Sequence, residues 1–485
     1  MQDGLRTNGE DAYDLAVVGT GFAGTFFLLR WLERAGPTAR AIVLERGPAW
    51  DHARRIDERR NSPIVPEAAA QWTGALAKPW RFTLALGGGT NCWWGNTPRM
   101  LPDDFSMRTL FGVGRDWPIG YSDLAEHYAR AEALMNVSGP SDVPYREGPY
   151  PQPPHRLNGA EAALAEAHPG AFGAMPTARA RMATKGRGAC CANGVCHLCP
   201  ADAKFTVENG LARIYRDPRV TLLTDADVQA VETEGGAARA VRWRDADGRE
   251  RTARADLVAL AANAIFNPTI LLRSGIAHPL TGQRLHEQVG VRAEVRLRGL
   301  EGFDGSTSVT GMGTMLYDDR ERRRTRAACL LETWNVGLMR PEPGRWREVL
   351  PLRLVYEDLP LEENAVEIDP TDPARPRARF ERHSDYAARA MGEASADLER
   401  VFAALPVESI VVHAEPEATE GHIMGTTVMA DSPAGGVVDA DCMHHAVRNL
   451  LVLGSSTFPS GAPANPSLTI AALSLRAADR LGGAV

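Results

Sequence analysis

The sequence predicts an α/β protein: a doubly wound, Rossmann-type sheet assembled from separate stretches of chain, with an α+β unit on an antiparallel sheet inserted between them. Three observations predict it. Residues 12–46 read strand, glycine-rich turn, helix, strand, acid; residues 449–485 return to strand, glycine turn and helix; and residues 290–420 change to strands with charged connections, such as RAEVRLRGL and AVEIDP. A chain of 485 residues also exceeds what one small core organises, so two closely packed domains are expected.

The N-terminal stretch YDLAVVGTGFAGTFFLLRWLERAGPTARAIVLERG carries the first site. An apolar strand, Leu15 to Val18, runs into Gly19, Gly21 and Gly24 in the G-x-G-x-x-G arrangement, then an amphipathic helix, then a strand Ala41 to Leu44 ending at Glu45. Gly19 makes the tight turn, Gly21 lets a pyrophosphate reach the backbone at the helix N-terminus, and Gly24 packs helix on strand. Glu45 is placed to accept from ribose hydroxyls, which disfavours a 2′-phosphate and leaves FAD or NAD. The glycine in Glu45-Arg46-Gly47 looks like the FAD version, and Phe22, Ala23 and Arg46 are counted with the same site.

The remaining elements follow in order. LALGGGTNCWWGNTPR (84–99) is too glycine-rich for a helix interior and suits backbone lying against a flat ring, bringing Gly88, Thr90, Asn91 and Cys92 to the cofactor. WPIGYSDLAEHYARAEALM (117–135) reads as a capped helix, and alternation from Val220 to Val241 suggests a hairpin. ADLVALAANAIFNPTILLRSG (255–275) reads as a buried strand, a turn at Ala262 and a helix starting near Pro268. Near the end, Pro466 suits the first position of a helix, which makes Asn465 its N-cap; Ala262, Pro466 and Ser467 are counted with the cofactor site. The boundaries expected are a discontinuous nucleotide domain over 1–120, 180–290 and 425–485, including a cysteine-rich loop at 186–206, and a substrate domain over 121–179 and 291–424.

A net charge of -7 argues against a nucleic-acid partner, which would need a basic face. The polar N-terminus has no apolar signal core and no run of about eighteen apolar residues occurs, so a cytoplasmic protein without a membrane span is expected. Export in complex with a partner subunit stays open.

Three pieces together resemble the glucose-methanol-choline (GMC) family of flavin oxidoreductases: GTGFAG…LERG, ALAANAIFNPTILLRSG, and GHIMGTTVMA followed by GSSTFPSGAPANPSLTIAALSLRAADRL. The resemblance implies FAD, with Val228 at the adenine and Gly454, Ser455 and Asn465 along the flavin. It places His422 as the base that takes the hydroxyl proton while hydride leaves for flavin N5, and Asn465 as a second group on the same oxygen. Imidazole titrates near neutrality, which suits that task. Some relatives attach flavin through a histidine where this chain has Cys92, so non-covalent FAD is the simpler expectation. The substrate implied is an alcohol, with a sugar, aminosugar or other polyhydroxylated compound foremost, and Trp334, Trp346 and Tyr356 are candidate platforms for a sugar ring. An oxidase that makes hydrogen peroxide from oxygen and a non-redox FAD-containing lyase are the alternatives. His197, His413, His444 and His445 are read as structural.

Four of the seven cysteines, Cys190, Cys191, Cys196 and Cys199, stand as C-C-x4-C-x2-C before Pro200. Thiolates so spaced can wrap an inorganic core. Bacterial FAD-dependent sugar dehydrogenases of the GMC family carry a similar pattern and hold an iron–sulfur cluster there, which implies a three-iron (3Fe-4S) or four-iron (4Fe-4S) cluster here. Structural zinc and unligated thiols are the other readings. A cluster would pass electrons singly to an external acceptor protein, and the run DDRERRRTR (318–326) is a candidate dock for an acidic one.

Overall fold

The computed structural model describes residues 12–482 apart from 142, 144 and 277. Its first sheet has seven strands. Val220–Leu223, Ala41–Leu44, Ala12–Val18 and Glu250–Leu260 pair in parallel. The last of these is long enough for its two halves to take different partners: Arg254 and the residues before it pair with the hairpin strand Ala237–Arg244, while Val258 to Leu260 pair with Leu450–Val452 from the end of the chain. The inner strands are apolar on both faces because helices cover both, as parallel sheets require. Helix Phe22–Arg34 packs against Ser467–Arg480, which in turn meets Ala125–Met135 through a 2.8 Å bond between the Tyr128 and Thr469 hydroxyls.

Two expectations change here. The alternating stretch from Val220 is two structures: Val220–Leu223 joins the parallel edge, and the hairpin begins at Asp227, after Asp225 turns through a φ of 55°. The helix near Pro268 begins earlier, at Asn263, and contains the proline. Pro268 has no N–H for the carbonyl four residues back, that of Ala264, and the Thr426 hydroxyl donates to it instead at 2.7 Å.

The second sheet is antiparallel, ordered Val407–Val412, Val289–Leu297, Val349–Tyr356, Cys329–Trp334, Val309–Gly313, Phe172–Ala174. Period-two alternation gives it two unlike faces. Val291, Ala293, Val295, Leu331, Leu352 and Leu354 point into an apolar core that also takes in helices Asp385–Gly392 and Ala394–Val401. Arg292, Glu294, Glu332, Trp334, Pro351 and Arg353 line the cavity on the other side. A small third sheet joins Ala365–Glu367, Arg377–Arg379 and Gln71–Thr73.

Two arginines of the run 318–326 are withdrawn from its surface, while Arg320 and Arg324 are exposed. Arg322 reaches Asp397 at 2.6 Å and Arg323 reaches Asp104 and Glu357, each at 2.7 Å, with both guanidiniums buried. Among the described residues no helix is long and apolar enough to cross a membrane.

Candidate active site

One cavity of about 990 Å³ runs between the first sheet and the polar face of the second. At one end lies the glycine turn. Gly19 adopts φ +100°, and a Cβ on Gly24 would stand 2.0 Å from the Gly19 carbonyl oxygen, so helix and strand touch backbone to backbone. Gly21 meets nothing nearer than Gly89 N at 3.9 Å, which leaves its face open to the cavity. Phe22, Ala23, Arg46, Val228 and Ala262 line the same end. The Glu45 carboxylate accepts from Thr20 N (3.0 Å), the Thr20 hydroxyl (2.5 Å) and Gly47 N (3.0 Å), and burial raises its proton affinity. The open glycine backbone and this fixed carboxylate fit a dinucleotide's pyrophosphate and ribose.

In the middle, Gly88 and Cys92 line the wall, with the Cys92 thiol 3.7 Å from the Gly89 carbonyl. Three expected cofactor residues, Gly24, Thr90 and Asn91, lie behind the cavity lining. The Thr90 hydroxyl donates to Gly87 O and accepts from Val207 N, and the Asn91 amide bridges Arg55 and Leu86 O. They shape the loop behind the wall.

Gly454, Ser455, Asn465, Pro466 and Ser467 share the lining with His422, and Gly454 also adjoins the glycine turn, where a Cβ on it would stand 3.4 Å from Ala23 Cβ. Strand pairing holds the two segments together: Gly425 N donates to Ser455 O, Thr427 N to Ser456 O, and the Ser455 hydroxyl to Ile423 O. Asn465 does not cap the C-terminal helix. Pro466 already has helical dihedrals and its carbonyl accepts from Ile470 N, so the Asn465 side chain is released from the helix; its Oδ1 is buried without a partner.

His422 is held by Gln288, a residue the sequence analysis did not single out. The Gln288 amide nitrogen donates to Ala462 O (2.8 Å) and Ala464 O (3.0 Å), which fixes its oxygen toward the imidazole. An amide oxygen only accepts, so His422 Nδ1 at 2.9 Å must carry the proton. Nε2 is therefore the unprotonated nitrogen, and it has no partner among the described residues. Burial, helped by the Arg353 charge, pushes the imidazole pKa down to about 4. Sequence offered one signal for this arrangement, a polar HEQ triplet opening an apolar strand.

On the sheet wall, Trp334 lies 4.9 Å from Trp94, centroid to centroid, and the Arg353 guanidinium sits 4.7 Å over its ring. Trp334 reaches the lining, with one face of its ring taken by Arg353. Trp346 is an exposed surface residue outside the lining, and Tyr356 points into the apolar core, because it lies on the other side of the pleat from Arg353. His413 and His197 also reach the lining, while His444 is buried.

The four loop cysteines do not form the expected iron–sulfur site. Cys190 faces the Thr307 hydroxyl at 3.3 Å, Cys196 the Ser308 hydroxyl at 3.2 Å, Cys199 the Ala203 N–H at 3.4 Å, and Cys191 is exposed. Among the described residues no group of three or more histidine, cysteine or acidic side chains is arranged to hold a metal ion. The backbone between them is left-handed at Ala192 and Gly194, with φ of 52° and 75°; Cys190 and Cys196 lie near each other, while Cys191 is exposed. Spacing set their reach but not their direction.

A dinucleotide cradle opening onto an unprotonated imidazole defines a flavin oxidoreductase site. The comparisons place it: residues 158–290 and 360–474 match the N- and C-terminal family models described as GMC oxidoreductase, and the chain belongs to that family. It is an FAD-dependent oxidoreductase acting on CH–OH donors. It is 26% identical to the fructose dehydrogenase large subunit of Gluconobacter japonicus, over 96% of this chain and 97% of that one. It is 28% identical to paromamine 6′-oxidase of Streptomyces fradiae (99% and 94%) and 28% identical to 2-methyl-1,2-propanediol dehydrogenase of Mycolicibacterium austroafricanum (98% and 96%). The fold is similar to that of pyridoxine 4-oxidase from Mesorbium loti, with a TM-score of 0.65 and 18% identity over 97% of this chain and 99% of that one. Formate oxidase gives 0.67 and 15%, over 97% and 98%.

Proposed function

We propose that this chain oxidises a CH–OH group of a sugar, aminosugar or other polyhydroxylated substrate to a carbonyl, with His422 as the base. The observation that carries the reading is the His422 tautomer: Gln288 holds the proton on Nδ1 and leaves Nε2 as an acceptor in the same cavity as the glycine cradle. Gly19, Gly21, Phe22, Ala23, Glu45, Arg46, Val228 and Ala262 would hold the adenosine and pyrophosphate of FAD, and Gly88, Cys92, Gly454, Ser455, Pro466 and Ser467 its ring. Bound FAD supplies the acceptor for the two electrons and hydrogen that leave the carbinol carbon as hydride.

The protein's part is proton management and positioning. Nε2 takes the hydroxyl proton as the C–H bond breaks, because a developing alkoxide is the better hydride donor, and the base must be uncharged to do so. A pKa near 4 keeps it uncharged across the neutral range. Asn465 stands beside the same oxygen, and the N-terminus of helix Ser467–Arg480 directs its positive end at the cavity. In this reading segments 1–120, 180–290 and 425–485 serve the cofactor, while 121–179 and 291–424 serve the substrate. The names of relatives support a polyol: they specify fructose, paromamine and 2-methyl-1,2-propanediol. The second half-reaction is assigned by experiment.

Anaerobic mixing with a panel of sugars, aminosugars and diols should bleach the flavin band with at least one class. No bleaching by any class would overturn the proposal, and a non-redox lyase would then stand. In air, one peroxide per carbonyl formed would make the enzyme an oxidase.

Gln288 gives a second expected result. Gln288→Glu puts a carboxylate on Nδ1–H and favours imidazolium, raising the His422 pKa by about 1–3 units. The protonated base is inactive, so the acidic limb of kcat/KM should move upward from its position near pH 4 by that amount. An unmoved limb would show that Gln288 does not govern the base.

A further inference from the structure

Glu332 lies in the middle of strand Cys329–Trp334, on the cavity side, and is 3% exposed. Every buried carboxylate among the described residues other than Glu45, Glu161 and Glu332 lies within ion-pair distance of an arginine, lysine or histidine. Glu45 and Glu161 are satisfied by backbone N–H groups of a turn and a capping box, each with a hydroxyl as well. Glu332 has neither. Its protein donors are the two amides Asn96, with Nδ2 at 3.1 Å, and Asn465; burial raises its proton affinity, and the Arg353 charge and these amides oppose that rise.

The nearby cations are committed elsewhere. Arg353, directly across the strand pair, acts on Glu332 through its charge, but its ion pair goes to Glu420 at 2.8 Å and its guanidinium stacks on Trp334. Arg179 donates to Asn96 Oδ1, Thr307 and Val309 O. Because Arg179 fixes the Asn96 oxygen, Asn96 turns its donor to Glu332, and a carboxylate there only accepts. The adjoining Asn465 Oδ1 is a second buried acceptor without a donor, and His422 Nε2 is a third acceptor on the same lining. A charge buried without a counter-ion is costly, and a substrate hydroxyl brings one donor where several acceptors wait.

We propose that the substrate carries an ammonium group close to the hydroxyl that is oxidised, and that Glu332 is its counter-ion: a carboxylate and an amide oxygen converge there with no cation of the chain at ion-pair distance. This rests on the reading of the cavity as the site of alcohol oxidation. An ammonium offers three donors and the missing charge, and the Trp334 face beside it takes the ring that carries it.

The test uses FAD-reconstituted protein with glucosamine, glucose and N-acetylglucosamine as probes, near pH 6 where the free amine is charged. Binding is read as thermal-midpoint shift and quenching of tryptophan fluorescence. Glucosamine should bind about tenfold or more tightly than either neutral sugar, and Glu332→Gln should erase the difference. Equal binding of the three, no binding of any, or a preference that survives Glu332→Gln would each overturn the proposal. If the variant fails to fold, the wild-type comparison alone decides. Anaerobic flavin bleaching separates the two readings: bleaching by glucose as readily as by glucosamine sinks the ammonium proposal and leaves alcohol oxidation standing. Selective binding of glucosamine with no bleaching by any polyol sinks the oxidation reading instead.

Discussion

Replacing His422 with alanine should lower the rate of anaerobic flavin reduction by about 10²–10⁴-fold, the range a positioned general base contributes. FAD content should stay at the wild-type level, since none of the glycine-turn residues or Glu45 has a hydrogen bond to His422. His422→Gln tests the same point more finely, because it keeps the bulk and a donor toward Gln288 but cannot accept a full proton. Single-turnover bleaching is the measurement, and a rate within about threefold of wild type in either variant would remove the imidazole from the chemistry.

The largest effect on stability is expected from Arg323→Met. The guanidinium is buried between Asp104 and Glu357, packs over Phe111 at 4.8 Å, and is surrounded by Tyr317, which donates to Asp104, and Tyr386, which donates to Glu357 at 3.0 Å. Its removal leaves two carboxylates buried with no cation, which costs about 3–5 kcal/mol. The sign with pH follows from Asp104, whose pKa burial already pushes up to about 6. A carboxyl whose folded pKa exceeds its unfolded value binds its proton more tightly when folded, so stability is retained below the unfolded value and lost as pH rises through the folded one. Without Arg323 that folded pKa rises further. The gap in thermal midpoint between variant and wild type should therefore be smaller at pH 5 than at pH 8. An equal gap at both would mean that the network is not electrostatic in origin.

Local features were legible in the sequence because short-range physics decides them. The turn at Gly19, Gly21 and Gly24 and the strand Ala41–Leu44 ending at Glu45 depend on backbone space and periodicity within one βαβ unit, and the structure has them as read. Pro268 misled because its lost hydrogen bond is replaced by Thr426, 158 positions further on in the chain. Asn465 misled in the opposite sense: the capping residue type was right, but Pro466 closes the helix without it. The cysteine pattern gave proximity along the chain, while exposure of Cys191 and the hydroxyl partners of Cys190 and Cys196 come from the fold. Gln288 and Glu332 were out of reach of pattern reading, since their roles come from partners brought together only by the fold. The one trace they left is polarity in otherwise apolar strands.

The two unlike faces of the antiparallel sheet separate what the enzyme recognises from what keeps it folded. Residues 292, 294, 334 and 353 alternate with the aliphatic side chains that hold the helices, so exchanges at the former need not disturb the latter. A lineage of such chains is free to drift among substrates by swapping every second residue of a few strands. Libraries restricted to those positions should yield a high fraction of soluble variants with altered preference, and this wall is where retuning should start.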